Sequence, residues 1–129
     1  MSRAKDDLQA RSVLGLAADQ GDADAQFALG LMHREGQGGP QDYVEARRWL
    51  GLAADHGHAD AQCNLGYMHS DGHGGPQDYV EARRWFGLAA DQGDAKAQVN
   101  LGYMHERGHG GPQDYAAARR WYGLAADQG

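Results

Sequence analysis

The stretch LGYMH stands at Leu65–His69 and again at Leu101–His105, and LGLMH stands at Leu29–His33. Each copy begins 36 residues after the last (65 − 29 and 101 − 65), and the flanking residues repeat with it. A period in this range belongs to stacked arrays, where each unit buries its apolar face only against its neighbours. Working outward, the full units run 23–58, 59–94 and 95–129. Before them stands a half-unit, 10–22, in which ARSVLGLAADQGD parallels ARRWLGLAADHGH of residues 46–58. The whole chain, 1–129, is one domain of such units.

Each unit predicts two helices. In the first, from Ala23 to Arg34, Ala25, Leu29 and Met32 fall on one side at helical spacing. Asp22 and Asp94 supply N-cap oxygens, and His58 in their place is expected to cap less well. Gly36, Gly72 and Gly108 suit left-handed C-terminal positions. The second helix, Tyr43 to His56, opens on Asp42-Tyr-Val-Glu45, which reads as a capping box; its third copy has Ala117 in place of the glutamate. Ala46, Trp49 and Ala53 form its inner stripe, widened by Leu50 or Leu52, and Gly57 and Gly93 end it. One tryptophan per unit (Trp49, Trp85, Trp121) fills the space between helix pairs.

These residues carry a resemblance. The pattern Ala23-Asp-Ala-Gln26, Leu29-Gly30, Gly36, Gly38, Gln41-Asp42, Ala46, Trp49, Ala53-Ala54 and Gly57, recurring in each unit, resembles the Sel-1-like repeat (SLR) family, relatives of tetratricopeptide repeats. The resemblance implies an all-α, right-handed α/α solenoid of stacked helix pairs. It also implies a non-catalytic scaffold or adaptor whose first helices line a concave groove for a peptide or protein partner. The chain departs from the family pattern at His33, His69 and His105, where an aromatic is usual. It departs again at Gly39, Gly75 and Gly111, where an apolar residue is usual, and a less anchored inter-helix loop is expected there.

Composition narrows the partners. The net charge of −6 argues against nucleic acid, which wants a basic face. Arg47-Arg48 and its copies read as solvated or as paired with Glu45 and nearby aspartates. No apolar run is long enough to span a membrane, and Met1–Asp7 has no signal-peptide core. With the single Cys63 forming no internal disulfide, a cytoplasmic, reducing location is expected; a periplasmic or secreted parent would require a segment outside this sequence.

The positions that differ between near-identical units mark the candidate partner surface: Asp24, Asp60 and Lys96; Phe27 with Cys63 and Val99; Asn64 and Asn100; Leu31, Tyr67 and Tyr103; Arg34, Ser70 and Glu106. Several lie three or four apart and share a helix face. Tyr67 and Tyr103 offer rigid contact area, Asn64 and Asn100 suit an extended peptide backbone, and Lys96 suits an acidic group. Drift on an exposed face is the alternative. A second function is self-assembly into a dimer or extended stack through uncapped ends, with Trp121, Tyr122 and Leu124 as the apolar face.

No catalytic residue, metal site or cofactor is expected. The histidine ladder cannot share one ion, because packed helices stand about 8–10 Å apart while zinc ligands lie about 2 Å from the metal. His69 and His73 have metal-like spacing, but Gly72 interrupts the helix between them. GQGGPQD and GHGGPQD lack a following Lys-Ser/Thr and read as turns. Cys63 replaces Phe27 and Val99 and reads as a small groove or core side chain rather than a nucleophile.

Overall fold

The computed structural model describes residues 3–129. Among them seven helices follow one another: α1 (Arg3–Asp19), α2 (Ala23–Glu35), α3 (Tyr43–Asp55), α4 (Ala59–Asp71), α5 (Tyr79–Asp91), α6 (Ala95–Arg107) and α7 (Tyr115–Asp127). No strand is present among the described residues. Pairs α2–α3, α4–α5 and α6–α7 stack in order, and α1 lies on α2 as the second helix of a half-unit. α1 begins seven residues before the repeat match at Ala10, over a segment of helix-forming residues.

The helix ends obey local chemistry. Asp22 and Asp94 accept the backbone N–H of Ala25 and Ala97 at 3.0 and 2.9 Å. His58 does the same work with its ring: Nδ1 accepts from Ala61 N–H at 3.1 Å, so the middle cap is intact rather than weakened. Gly36, Gly72 and Gly108 close the first helices at φ 74°, 72° and 69°. The capping box is only half formed. Asp42 accepts from Glu45 N–H at 3.1 Å, but the Glu45 carboxylate turns to Arg48 at 3.0 Å. The reason is that Asp42 N–H already donates to the His33 carbonyl at 2.8 Å. Ala117 therefore costs its helix nothing at the cap, where Asp114 accepts at 3.0 Å.

Three apolar clusters run along the stack. Trp49 packs with Ala18, Ala25 and Leu29. Trp85 packs with Ala46, Leu50, Ala61 and Leu65. Trp121 joins a third cluster around Cys63, Phe86, Ala97 and Leu101. Each tryptophan thus reaches back to the preceding unit. Leu50 is the residue that widens the stripe, fully buried, while Leu52 is exposed.

The inter-helix loops are held firmly, contrary to the sequence expectation. Arg47 extends from α3 into the loop of the following unit. Its Nε donates to the His73 carbonyl at 3.0 Å and its Nη2 to the Met68 carbonyl at 3.0 Å, with Nη1 3.3 Å from His69 Nδ1. Arg11 and Arg83 repeat these contacts on residues 32–37 and 104–109. Gly75 makes room for the guanidinium: a Cβ there would stand 2.5 Å from Arg47 Nη1. The family's apolar anchor is absent because an arginine from the previous unit occupies its space. Arg47 is accordingly not solvated, whereas Arg48 is, pairing with Glu45 and lying 4.3 Å over the Trp49 ring. Burial and the adjacent arginine hold the His33, His69 and His105 pKa below the usual histidine range. A neutral ring protonated on Nε2 leaves Nδ1 free to accept from the arginine.

One interior polar atom stands out. Gln92 Nε2 donates to Gln62 Oε1 at 2.8 Å and to the Gly57 carbonyl at 2.9 Å. Gln128 repeats this on Gln98 and Gly93. His56 occupies the same position in the first full unit, and Gln26 Oε1 is left buried with no partner among the described residues. Leaving a buried acceptor unpaired costs about 1–3 kcal/mol. His56→Gln should therefore raise stability by about 1–2 kcal/mol, read as a higher urea midpoint at unchanged slope. An unmoved midpoint would mean that water already serves Oε1.

Candidate functional site

The first helices α2, α4 and α6 lie side by side, and a groove of about 570 Å³ crosses them. The repeat itself builds it, because equivalent positions on successive first helices present side chains to the same surface. Phe27, Leu31 and Arg34 come from α2; Asp60, Cys63, Asn64 and Tyr67 from α4; Lys96 from α6, with Asp94 at its cap. A second recess of about 310 Å³ adjoins it, sharing Arg34 and Tyr67 and adding Tyr43, Met68 and His73 among others.

The groove wall is cross-braced. Arg34 donates from Nη1 to Asn64 Oδ1 and from Nε to Glu35 at 2.9 Å. Tyr67 accepts at its hydroxyl from Asn100 Nδ2 at 2.7 Å, and its ring meets Phe86 edge-on at 5.3 Å. Phe27 stacks on His58 at 4.6 Å, and His58 Nε2 lies 3.1 Å from Asp24 Oδ1. Tyr43 stacks on His73 at 4.4 Å. Burial raises the Tyr67 pKa and pushes the Cys63 thiol up to about 12. Cys63 is thus held as a thiol, a small neutral lining residue without a nucleophile's ionisation.

Of the sequence-chosen residues, Phe27, Leu31, Arg34, Asp60, Asn64, Tyr67 and Lys96 meet in this one groove. Asp24 sits exposed beside it, held by His58. Asn100 lies at its edge through Tyr67. Tyr103 lies apart, with the Arg107 guanidinium 5.3 Å from its ring centroid. Ser70 contributes its backbone carbonyl to Gln77 at 2.9 Å. Glu106 accepts from the Tyr122 hydroxyl at 2.8 Å, toward the end of the stack. The two asparagine amides also bond within their own helices. Asn64 Nδ2 donates to the Asp60 carbonyl at 2.8 Å, and Asn100 Nδ2 donates to the Lys96 carbonyl at 2.7 Å. Asn100 engages both amide hydrogens, on Tyr67 and Lys96, whereas Asn64 engages one, because each carbonyl one turn earlier is within reach.

Tyr43 and His73 were not among the sequence candidates. They come from different units and meet only because a loop folds onto the preceding second helix; their recurrence as Tyr79 and His109, stacked at 4.4 Å, was the available signal. Trp121 packs inward and is half-buried. Leu124 is exposed like its equivalents Leu52 and Leu88, so it is not special to the end of the stack. Tyr122, Val99, Ala125 and Ala126 line a recess between α6 and α7. Among the described residues no group of three or more metal-ligating side chains gathers, and no helix is long and apolar enough to cross a membrane.

The Sel1 repeat family model matches residues 23–58, 59–94 and 95–129. Comparison with curated proteins gave no match. Among solved structures, the chain is similar to c5321, described as a protective antigen present in uropathogenic Escherichia coli strains displaying an SLR fold. The identity there is 43% and the TM-score 0.88, over 90% of this chain and 25% of that one. A Sel1 repeat protein from Oxalobacter formigenes is 36% identical with a TM-score of 0.90, over 95% of this chain and 50% of that one. Cysteine rich protein B of Helicobacter pylori shares the fold at 18% identity and a TM-score of 0.76, over 99% of this chain and 92% of that one. The chain thus spans half or less of the length of the first two.

Proposed function

This chain belongs to the Sel1 repeat family, generally protein-interaction scaffolds, and from that premise we propose that it is a non-catalytic adaptor binding an extended peptide segment across α2, α4 and α6. The observation that carries this reading is the braced wall around Tyr67. Its hydroxyl holds Asn100 and its ring rests on Phe86, yet the residue is 36% exposed. An aromatic fixed before binding loses little side-chain freedom when a partner covers it. Arg34 and Lys96 with Asp60 and Asp94 give the groove both signs of charge, which suits a polypeptide better than a uniformly charged polymer.

The test is selection of peptides on the immobilised chain, followed by titration of variants. Tyr67→Ala should weaken selected peptides at least about ten-fold, the usual loss at an aromatic hot spot, with helicity and unfolding cooperativity retained. Leu88→Ala, on the outer face, should leave binding unchanged. Peptides indifferent to Tyr67 would count against the groove.

A further inference from the structure

The recess beside the groove lies between the C-terminal ends of α2 and α4, with Arg34, Glu35, Tyr43, Tyr67, Asp71 and His73 among its lining. Its charges do not cancel. Arg34 pairs with Glu35 at 2.9 Å, whereas the Asp71 carboxylate makes no hydrogen bond or ion pair among the described residues. Asp71 also does nothing for its own helix. It ends α4, where the last carbonyls of a helix disfavour a negative charge. Tyr67 stands one turn earlier, so ring and carboxylate share a helix face. The Tyr67 hydroxyl is already engaged by Asn100, which leaves the ring for a ligand.

The next junction between units holds the same frame with one charge reversed. Tyr79 stacks on His109 as Tyr43 stacks on His73, both at 4.4 Å. Gln77 donates to the Tyr79 hydroxyl as Gln41 does to Tyr43, at 3.2 and 3.3 Å. Tyr103 and Arg107 stand in the places of Tyr67 and Asp71. There the chain lays its own guanidinium over the ring, with Arg107 Cζ 5.3 Å from the Tyr103 centroid. Among the described residues no cation lies over Tyr67, and the residue one turn on is a carboxylate.

We propose that the recess takes an arginine side chain of the bound peptide, its guanidinium laid over Tyr67 as Arg107 lies over Tyr103 and paired with the Asp71 carboxylate. A planar guanidinium suits both contacts, stacking on a tyrosine face while forking onto a carboxylate. The net charge of −6 draws a basic segment toward the chain. At Tyr103 the chain supplies its own guanidinium, so one arginine site is expected and not two. This inference rests on the peptide reading of the groove, because recess and groove share Arg34 and Tyr67. It adds which residue the peptide must carry.

The test selects linear peptides of random sequence on the immobilised full chain, then compares each arginine peptide with its citrulline version, which keeps the shape and loses the charge. Arginine should recur at one position of the selected peptides. Citrulline there should weaken binding about ten-fold, the sum of an exposed cation–π contact and an ion pair. Asp71→Asn should weaken the arginine peptide about three-fold, the share of the ion pair, and leave the citrulline peptide unchanged. Its urea midpoint should hold or rise, since a carboxylate leaves the end of α4. Asp71→Arg, which copies the following unit, should abolish the preference for arginine over citrulline. Peptides that need Tyr67 but show no recurring arginine, or whose preference for arginine survives both Asp71 variants, overturn this inference and leave the groove standing. Peptides indifferent to Tyr67, or a library that yields no binder, overturn both readings.

Discussion

Gly74→Ala should unfold most of the molecule's cooperative structure at modest urea, a loss of about 4 kcal/mol or more, in the range that marks a specific structural fault. Two causes add. Gly74 has φ 76°, where an L side chain costs about 1–2 kcal/mol. A Cβ there would also lie 2.2 Å from the Tyr43 carbonyl oxygen, and backbone cannot give way as a side-chain tip can. That carbonyl belongs to the preceding unit, so relief requires the two units to part. Gly57→Ala is the control that separates the causes. Its φ is 88°, but nothing lies within 4 Å of the added carbon. It should cost only about 1–2 kcal/mol. Equal losses in the two variants would show that the close approach carries no weight.

Arg47→Ala should cost about 3 kcal/mol, and Arg48→Ala no more than about 1 kcal/mol, although the two are adjacent. Hydrogen bonds from a charged donor are worth about 1.5–3 kcal/mol each, and Arg47 makes two to carbonyls besides its approach to His69. Arg48 makes an exposed pair with Glu45 and rests on Trp49, contacts worth about 0.2–1 kcal/mol apiece. Arg47→Lys should recover little, since an ammonium cannot span both carbonyls in the guanidinium's fork. Because Arg47 joins neighbouring units, its loss should also broaden the unfolding transition, as expected when coupling between repeats weakens. A sharp transition with a loss under 1 kcal/mol would assign the loop's order to its turns alone.

The two arginines show where sequence reading stops. Both sit on one helix with Glu45 in range, and helical spacing correctly pairs Arg48 with it. Arg47 has the same composition around it, and its partners lie 21–26 residues ahead, the Met68 carbonyl late in α4 and the His73 carbonyl in the loop. Local pattern announces a cap, as at Asp22 and Asp94, but not a side chain's bond to backbone in another unit. The departures at Gly75 and His69 were visible as oddities, and together with Arg47 they form one contact. The groove was more legible. Residues that vary at equivalent places on identical helices must share a surface if the units stack, so Phe27, Asn64, Tyr67 and Lys96 converge. What escaped was the internal use of the asparagine amides, which depends on atoms one turn away.

The sequence by itself determined the helices, their aspartate caps and the stacking of units, because a 36-residue period repeats the same apolar stripe and the same terminating glycines; the His58 cap and the broken capping boxes it did not. It determined the inward tryptophans for the same reason. Only the tertiary structure decided which polar groups hold unit to unit, which of two adjacent arginines is structural, and that Gln26 lacks the partner Gln62 and Gln98 possess. Periodicity reports which face of a helix is apolar; it carries no information on where a long polar side chain ends, since that is set by the atoms of another unit.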